Sequence, residues 1–179
     1  MGKKNNLEDN ILIALNAIKD RRGSFRRLYC KNQFFSFSNK TIKQINHSYT
    51  KMKGTVRGLH YQVGNFKEDK FVICLKGRVF DVAVDLRKNS KTFLKYKSSI
   101  LSSSNIFISF IPKGFAHGFQ TLTNNVEMLY FHTNFFKISY EKSINVLEPK
   151  VSIDWPLKIS SISKKDRLTP FINSRFKGI

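Results

Sequence analysis

Short runs rich in Val, Ile, Phe and Tyr recur along the chain with turn residues between them, and alternation with a period of two outweighs any helical period. The clearest pair is Lys70 to Leu75 and Arg78 to Leu86, joined by Lys76-Gly77, which predicts a β-hairpin. In the second run Phe80, Val82, Val84 and Leu86 alternate with Asp81, Ala83 and Asp85, so two carboxylates share one face of a pleated strand. Further strands are predicted at Ile11 to Ile18, Ser24 to Tyr29, Gly54 to Tyr61, Ser99 to Leu101, Ile106 to Ile111, Gly118 to Leu122 and Glu127 to Thr133. After Asp154-Trp155-Pro156 the alternation stops, which predicts an irregular tail with a short helix near Lys164. So many short strands imply an all-β fold, a sandwich or a jelly-roll β-barrel, with its interior as the default site.

The 179 residues suit one domain over residues 1–179, and 41% hydrophobic residues, 17 of them Phe, supply enough apolar surface to offset chain entropy. That excludes a disordered chain. No run approaches the roughly 18 to 20 uncharged apolar residues of a membrane span, and Met1-Gly-Lys-Lys-Asn-Asn6 leads into no signal-peptide core, so the expectation is a soluble, cytoplasmic protein. Cys30 and Cys74 lack both a disulfide framework and zinc-ligand spacing. The net charge of +20 raises the question of a polyanionic partner, yet the basic residues are spread from Lys3 to Lys177 with no nucleic-acid-binding motif. The charge therefore reads as a field that attracts small phosphorylated ligands, not as a specific nucleic-acid site.

Candidate chemistry is concentrated in two segments. Gly54-Thr-Val-Arg-Gly-Leu-His-Tyr-Gln62 sets His60 at the end of a strand with Arg57 and Gln62 beside it, and Pro112-Lys-Gly-Phe-Ala-His-Gly-Phe119 sets His117 on a strand after a glycine-bearing turn. Metal-binding barrels of this type present a His-x-His pair followed by Glu on one strand face; here the second position is Gln62 and no Glu follows. No metal or other cofactor is expected, and acid–base chemistry is the better use of the histidines.

The sequence resembles the dTDP-4-dehydrorhamnose 3,5-epimerase family. The matching stretches are Asp20-Arg-Arg-Gly23, Gln44-Ile-Asn-His-Ser48, Arg57-Gly-Leu-His-Tyr-Gln62, Lys70, Gly77 to Arg87, Ser90-Lys-Thr-Phe93, Ile111 to Phe119, Leu129-Tyr130, Ile153 to Leu157 and Ser163-Lys-Lys-Asp166. Each is short, but they follow the family's order from about residue 11 to residue 170. The resemblance implies a metal-free cupin-type jelly roll acting on a nucleotide-linked 4-keto sugar, whose carbonyl acidifies the hydrogens on C3 and C5.

Within that resemblance His60 is the base, oriented by Asp166; Tyr130 is the acid on the opposite face; and Lys70 stabilises the enolate oxygen. His117 lies in the same pocket, with Asp81 in support. Arg22, Arg57 and Lys165 are matched to phosphate and substrate contacts, Gln44, Asn46 and Gln62 to polar contacts, and Phe25 to stacking or sugar packing. The family's exchanged N-terminal strand implies a homodimer with shared sites. Read without the resemblance, Lys70 is a surface lysine, Asp166 a helix cap and Tyr130 a core aromatic. Three positions depart from the pattern: Arg27 replaces an acidic residue, Phe135-Phe136 replaces a tyrosine, and Val63-Gly64 lacks a proline. A relative inverting only C3 or only C5, a silent nucleotide-sugar binder and a basic nucleic-acid-binding protein are the alternative readings.

Overall fold

Alternating apolar positions on most strands force two opposed sheets, because each strand must bury at least one face. The computed structural model describes residues 11–105 and 107–179. The first sheet is formed by β1 (Ile11–Ala14), β4 (Gln44–Thr50), β6 (Lys70–Lys76), β9 (Phe107–Ile111) and β11 (Val126–His132), in the order β1-β9-β6-β11-β4. The second is formed by β5 (Thr55–Gln62), β7 (Arg78–Asp85), β8 (Tyr96–Ser102), β10 (Phe115–Thr121) and β12 (Glu141–Ser143), in the order β12-β5-β10-β7-β8, with β13 (Ser161–Ile162) parallel to β5. A separate hairpin joins β2 (Ala17–Asp20) to β3 (Gly23–Arg26), and α1 (Lys31–Phe35) and α2 (Lys164–Arg167) are single turns of helix. This is the jelly-roll architecture that the strand pattern and the family resemblance imply.

Three apolar layers hold the sheets. Between them, Val72, Cys74 and Met128 of the first sheet meet Val79, Ala83 and Phe119 of the second. Complete burial of a side chain such as Phe119, 1% exposed, stabilises the fold by about 1.5–3 kcal/mol. On the outer face of the first sheet, Leu15 and Phe34 pack with Ile13, Phe71, Ile73, Phe110 and Phe131 of its strands. Outside the second, Ile144, Val151, Trp155, Phe176 and Ile179 cover Val82, Val84 and Leu86. Both faces of β6 and β7 are thus buried, which is why the chain there reads as nearly continuous hydrophobic sequence.

The alternation in β7 is as expected, with Val82 and Val84 facing the tail and Ala83 facing the inter-sheet core. The predicted hairpin from Lys70 to Leu86 does not form. β6 pairs with β9 and β11, and β7 with β8 and β10, so Gly77 turns the chain from one sheet into the other. Its φ of +79° suits glycine, and a Cβ there would lie 2.6 Å from Thr123 Oγ1. The single strand expected from Ile11 to Ile18 breaks at Leu15-Asn16 into β1 and β2, which belong to different sheets. Residue 106, the first of another predicted strand, and residues 1–10 lie outside the described residues. Strand β4 and helix α1 were not anticipated, because neither carries a clean alternation or a capping residue. The helix near Lys164 is present as α2. Cys30 and Cys74 are free thiols. Among the described residues no helix is long and apolar enough to cross a membrane.

Candidate active site

The inner faces of β4, β5, β6, β10 and β11 open at one end of the barrel into a cleft of about 850 Å3, closed on one side by α2. The strands β5 and β10 approach unusually closely there. A Cβ on Gly118 would stand 2.6 Å from the Arg57 carbonyl oxygen, so glycine alone fits, and His60 and His117 become cross-strand partners.

His60 Nε2–H donates to Asp166 Oδ1 at 2.7 Å. A carboxylate only accepts, so the bond fixes the proton on Nε2 and leaves Nδ1 of the neutral ring as the proton acceptor. The His60 side chain keeps 32% exposure to the cleft while Asp166 is 4% exposed. Asp166 is delivered by α2, where Ser163 Oγ accepts a hydrogen bond from the Asp166 backbone N–H at 3.0 Å. Burial works to raise the Asp166 carboxyl, but its bonds with His60 and Ser163 and the His60 charge outweigh that and hold it below its ordinary value.

Tyr130, on β11, lines the same cleft and shares a 3.1 Å hydrogen bond with Ser48 Oγ on β4. Burial, with the negative charge of Asp81 adding to it, pushes its phenol far above the ordinary range, so it is a protonated donor at neutral pH. His117 Nε2–H donates to Asp81 Oδ1 at 2.7 Å, and both are buried. Asp81 Oδ2 is buried without a hydrogen-bond partner among the described residues. Lys70 enters the cleft from the first residue of β6, and its ammonium lies 3.3 Å from Glu68 Oε1. An apposed imidazole, phenol and ammonium can remove a proton, return one and stabilise the charge that develops between the two steps.

His60, Lys70, Tyr130, His117, Arg57, Gln62, Asn46, Lys165 and Asp166 all line this cleft, and Asp81 holds His117 from behind. Arg57 is aimed by bonds from Nε to Thr50 Oγ1 at 2.9 Å and from Nη2 to the Tyr49 carbonyl at 3.1 Å. Gln62 donates to the Phe66 and Phe135 carbonyls and accepts from Lys137 N, so its amide is spent on shaping the cleft wall. Lys165 pairs with Glu141 at the rim. Gln44 stands behind the cleft, donating to Asn46 Oδ1 at 3.0 Å.

Arg22 and Phe25 are elsewhere. Arg22 is bound to Asp20 on the exposed β2–β3 hairpin, and Phe25, 64% exposed, borders a second, smaller cavity of about 270 Å3 together with Arg27. Within one chain neither residue reaches the cleft.

Ser48, Glu68, His132 and Ser163 are among the polar residues of the site that escaped sequence reasoning. Ser163-Lys-Lys-Asp166 has the spacing of a capping box, and His132 falls on the face of Tyr130 by simple alternation, so both carried a readable signal. Glu68 precedes its strand and carried none.

The sequence model of the family described as dTDP-4-dehydrorhamnose 3,5-epimerase matches residues 4–174. The chain is 38% identical to the dTDP-4-dehydrorhamnose 3,5-epimerase of Salmonella typhimurium, over 95% of this chain and 94% of that one. It is similar to the crystal structure of dTDP-4-dehydrorhamnose 3,5-epimerase from Bacillus anthracis with TDP and PPi bound: TM-score 0.89, 32% identity, 95% of this chain and 98% of that one covered. A second structure, the dTDP-6-deoxy-D-glucose-3,5-epimerase of Legionella pneumophila in complex with dTDP-4-keto-L-rhamnose, matches with a TM-score of 0.84 at 36% identity, covering 89% of this chain and 86% of that one.

Proposed function

The chain belongs to the dTDP-4-dehydrorhamnose 3,5-epimerase family, and from that premise we propose how its cleft works as an epimerase active site. The enzyme is an isomerase that inverts C3 and C5 of dTDP-4-dehydro-6-deoxy-D-glucose to give dTDP-4-dehydro-L-rhamnose. Its substrate class, a dTDP-linked sugar, is that of the relatives.

His60 Nδ1 takes the proton from the carbon beside the 4-keto group, and the C–H electron pair moves onto the C4 oxygen as an enolate. Asp166 stabilises the imidazolium so formed, and Lys70 stabilises the enolate oxygen. Tyr130 then gives its phenolic proton to the opposite face of the carbon as the carbonyl reforms. His60 releases and Tyr130 regains a proton through solvent before the second carbon is processed. The observation that carries this reading is the buried Asp166 carboxylate 2.7 Å from a His60 ring that remains open to the cleft. Proton NMR in deuterium oxide tests it: loss of the C3 and C5 hydrogen signals in the wild type, absent in His60→Ala, supports the base, and loss at one carbon alone indicates a single-site epimerase.

The working unit in this reading is a homodimer. Arg22 and Phe25 are presented outward on the β2–β3 hairpin with Ile18, 71% exposed, and they serve the partner's cleft, where the Arg22 guanidinium meets the diphosphate. Arg57 reaches the substrate from the same chain as His60. The enzyme is assigned to the cytoplasm, since a doubly charged nucleotide sugar does not cross an apolar bilayer unaided.

A further inference from the structure

We propose that Glu68 is a positioning residue for the epimerisation, holding the Lys70 ammonium where the enolate oxygen develops, at the end of a hydrogen-bond chain anchored beside Phe136. The inference rests on the role given to Lys70 above. It begins from a buried carboxylate that the proton transfers do not use.

Glu68 is 8% exposed, and both of its oxygens are engaged. Oε1 lies 3.3 Å from Lys70 Nζ, and Oε2 accepts from His132 Nδ1 at 2.9 Å. Burial pushes its carboxyl up, but the bond from His132 and the Lys70 charge more than reverse this, so it stays ionised.

The backbone around it is fixed from three sides. Asp69 N donates to Thr133 Oγ1, Asp69 Oδ1 accepts from Lys113 N at 2.7 Å, and Asp69 Oδ2 accepts from Ser38 Oγ at 2.6 Å. Lys70 and His132 face each other as cross-strand partners of β6 and β11, so a carboxylate two residues before Lys70 reaches both.

The contacts continue beyond His132. With its Nδ1 proton committed to Glu68, Nε2 of the neutral ring accepts from Asn46 Nδ2 at 3.4 Å. Asn46 Oδ1 accepts from Gln44 Nε2, and Gln44 Oε1 accepts from the Phe136 backbone N–H at 2.9 Å. Phe136 lines the cleft, so through its main chain this part of the cleft wall is tied to the cation.

A lysine needs such a holder. Its ammonium is a point charge on a four-carbon stem with no fork to fix its direction, and a cleft that takes a diphosphate offers it a competing partner. A carboxylate that keeps the ammonium off the diphosphate acts on the step in which charge develops at C4 and leaves ground-state binding nearly unchanged.

The test compares kcat, KM, dTDP affinity and C3/C5 deuterium exchange in the full-length wild type, Glu68→Ala, Glu68→Gln, Lys70→Ala and the Glu68→Ala/Lys70→Ala double variant. Glu68→Ala is expected to lower kcat about tenfold or more while KM and the dTDP Kd stay within about twofold. Glu68→Gln keeps an acceptor oxygen for Lys70, while its N–H₂ meets His132 Nδ1 once that ring takes the other tautomer, so it is expected to regain part of the loss. In the Lys70→Ala background Glu68→Ala is expected to add nothing, since it acts through that ammonium. If Glu68→Ala does not fold, Glu68→Met, similar in volume but without an acceptor, carries the same expectation. A Glu68→Ala (or Met) kcat within about twofold of wild type overturns the proposal. So does a loss of which Gln restores no part, or one that persists in the Lys70→Ala background. Failure of the wild type to exchange either carbon, or an unaltered kcat in Lys70→Ala, would instead overturn the underlying reading of the site.

Discussion

His60 Nε2 and Asp166 Oδ1 lie 2.7 Å apart although 106 residues separate them in the chain, because β13 pairs with β5 and sets α2 beside the histidine. An amide at position 166 could present its N–H₂ to the ring and favour the other tautomer, turning the cleft-facing nitrogen from acceptor to donor. Asp166→Asn is therefore expected to reduce kcat by about 10²–10⁴ with little change in KM. Initial rates of deuterium incorporation at C3 and C5 measure it directly. A variant within a few-fold of wild type would show that the carboxylate does not set the tautomer or the basicity of His60.

Tyr130 separates removal of a proton from its return. The His60–Asp166 pair is intact in Tyr130→Phe, so the base still abstracts and returns hydrogen on its own face. Deuterium washes into the substrate while inversion slows by about 10²–10⁴, the range for loss of a positioned general acid. Following exchange by NMR and the configuration of the recovered sugar in one sample gives both rates. Equal loss of exchange and inversion would remove Tyr130 from the acid role. Ser48→Ala, which deletes the 3.1 Å bond to the phenol, is expected to act in the same direction but more weakly.

Legibility in the sequence followed the range of the interactions. The alternation Phe80-Asp81-Val82-Ala83-Val84 is local, and it identified β7 and its two faces correctly. The pairing of β7 is not local: Lys76-Gly77 has the look of a hairpin turn, but the apolar faces of β6 and β7 are satisfied in different sheets, which no short window records. Strand β4 shows the opposite failure. Ile45, His47 and Tyr49 are about half exposed on an edge strand, so the hydrophobic contrast that marks a strand is missing there. The cleft residues were reached chiefly through family resemblance, since Lys70 and Asp166 read in isolation as a surface lysine and a cap. Glu68 was invisible because its meaning depends on His132, which lies opposite Lys70 only once β6 and β11 have paired.

The proposed dimer predicts complementation between two defective chains. Arg22→Ala/Phe25→Ala is expected to raise KM about tenfold or more with kcat nearly unchanged, as loss of uniform binding requires. His60→Ala is expected to be inactive at any substrate concentration. If the hairpin of one chain serves the cleft of the other, unfolding and refolding an equal mixture makes half of the dimers mixed, each with one site built wholly from unaltered residues. Activity at low substrate then recovers to about a quarter of wild type. If Arg22 and Phe25 served their own chain's cleft, the mixture would show only the sum of its parts. Sedimentation of the mixture confirms that dimers have formed.

Asp85 shares a strand face with Asp81 but has a different task, and acid stability separates them. Its Oδ1 accepts from Arg87 N and Nε, each at 2.9 Å, and its Oδ2 accepts from Arg87 Nη2, Ser90 Oγ and Thr92 Oγ1, which pins the loop after β7. Burial works to raise the carboxyl, but these bonds pull it down to about 2 from an ordinary 3.8. A carboxyl lowered in the folded state binds its proton more readily when unfolded. Its stabilisation is therefore complete above pH 3.8 and lost as pH falls through about 2. The difference corresponds to about 2 kcal/mol. Urea unfolding of wild type and Asp85→Asn between pH 7 and pH 2 is expected to show a gap near that size at neutral pH, closing on acidification, while kcat at pH 7 is unaltered because Asp85 does not line the cleft. A gap that stays constant with pH would mean that Asp85 contributes through packing rather than through its charge.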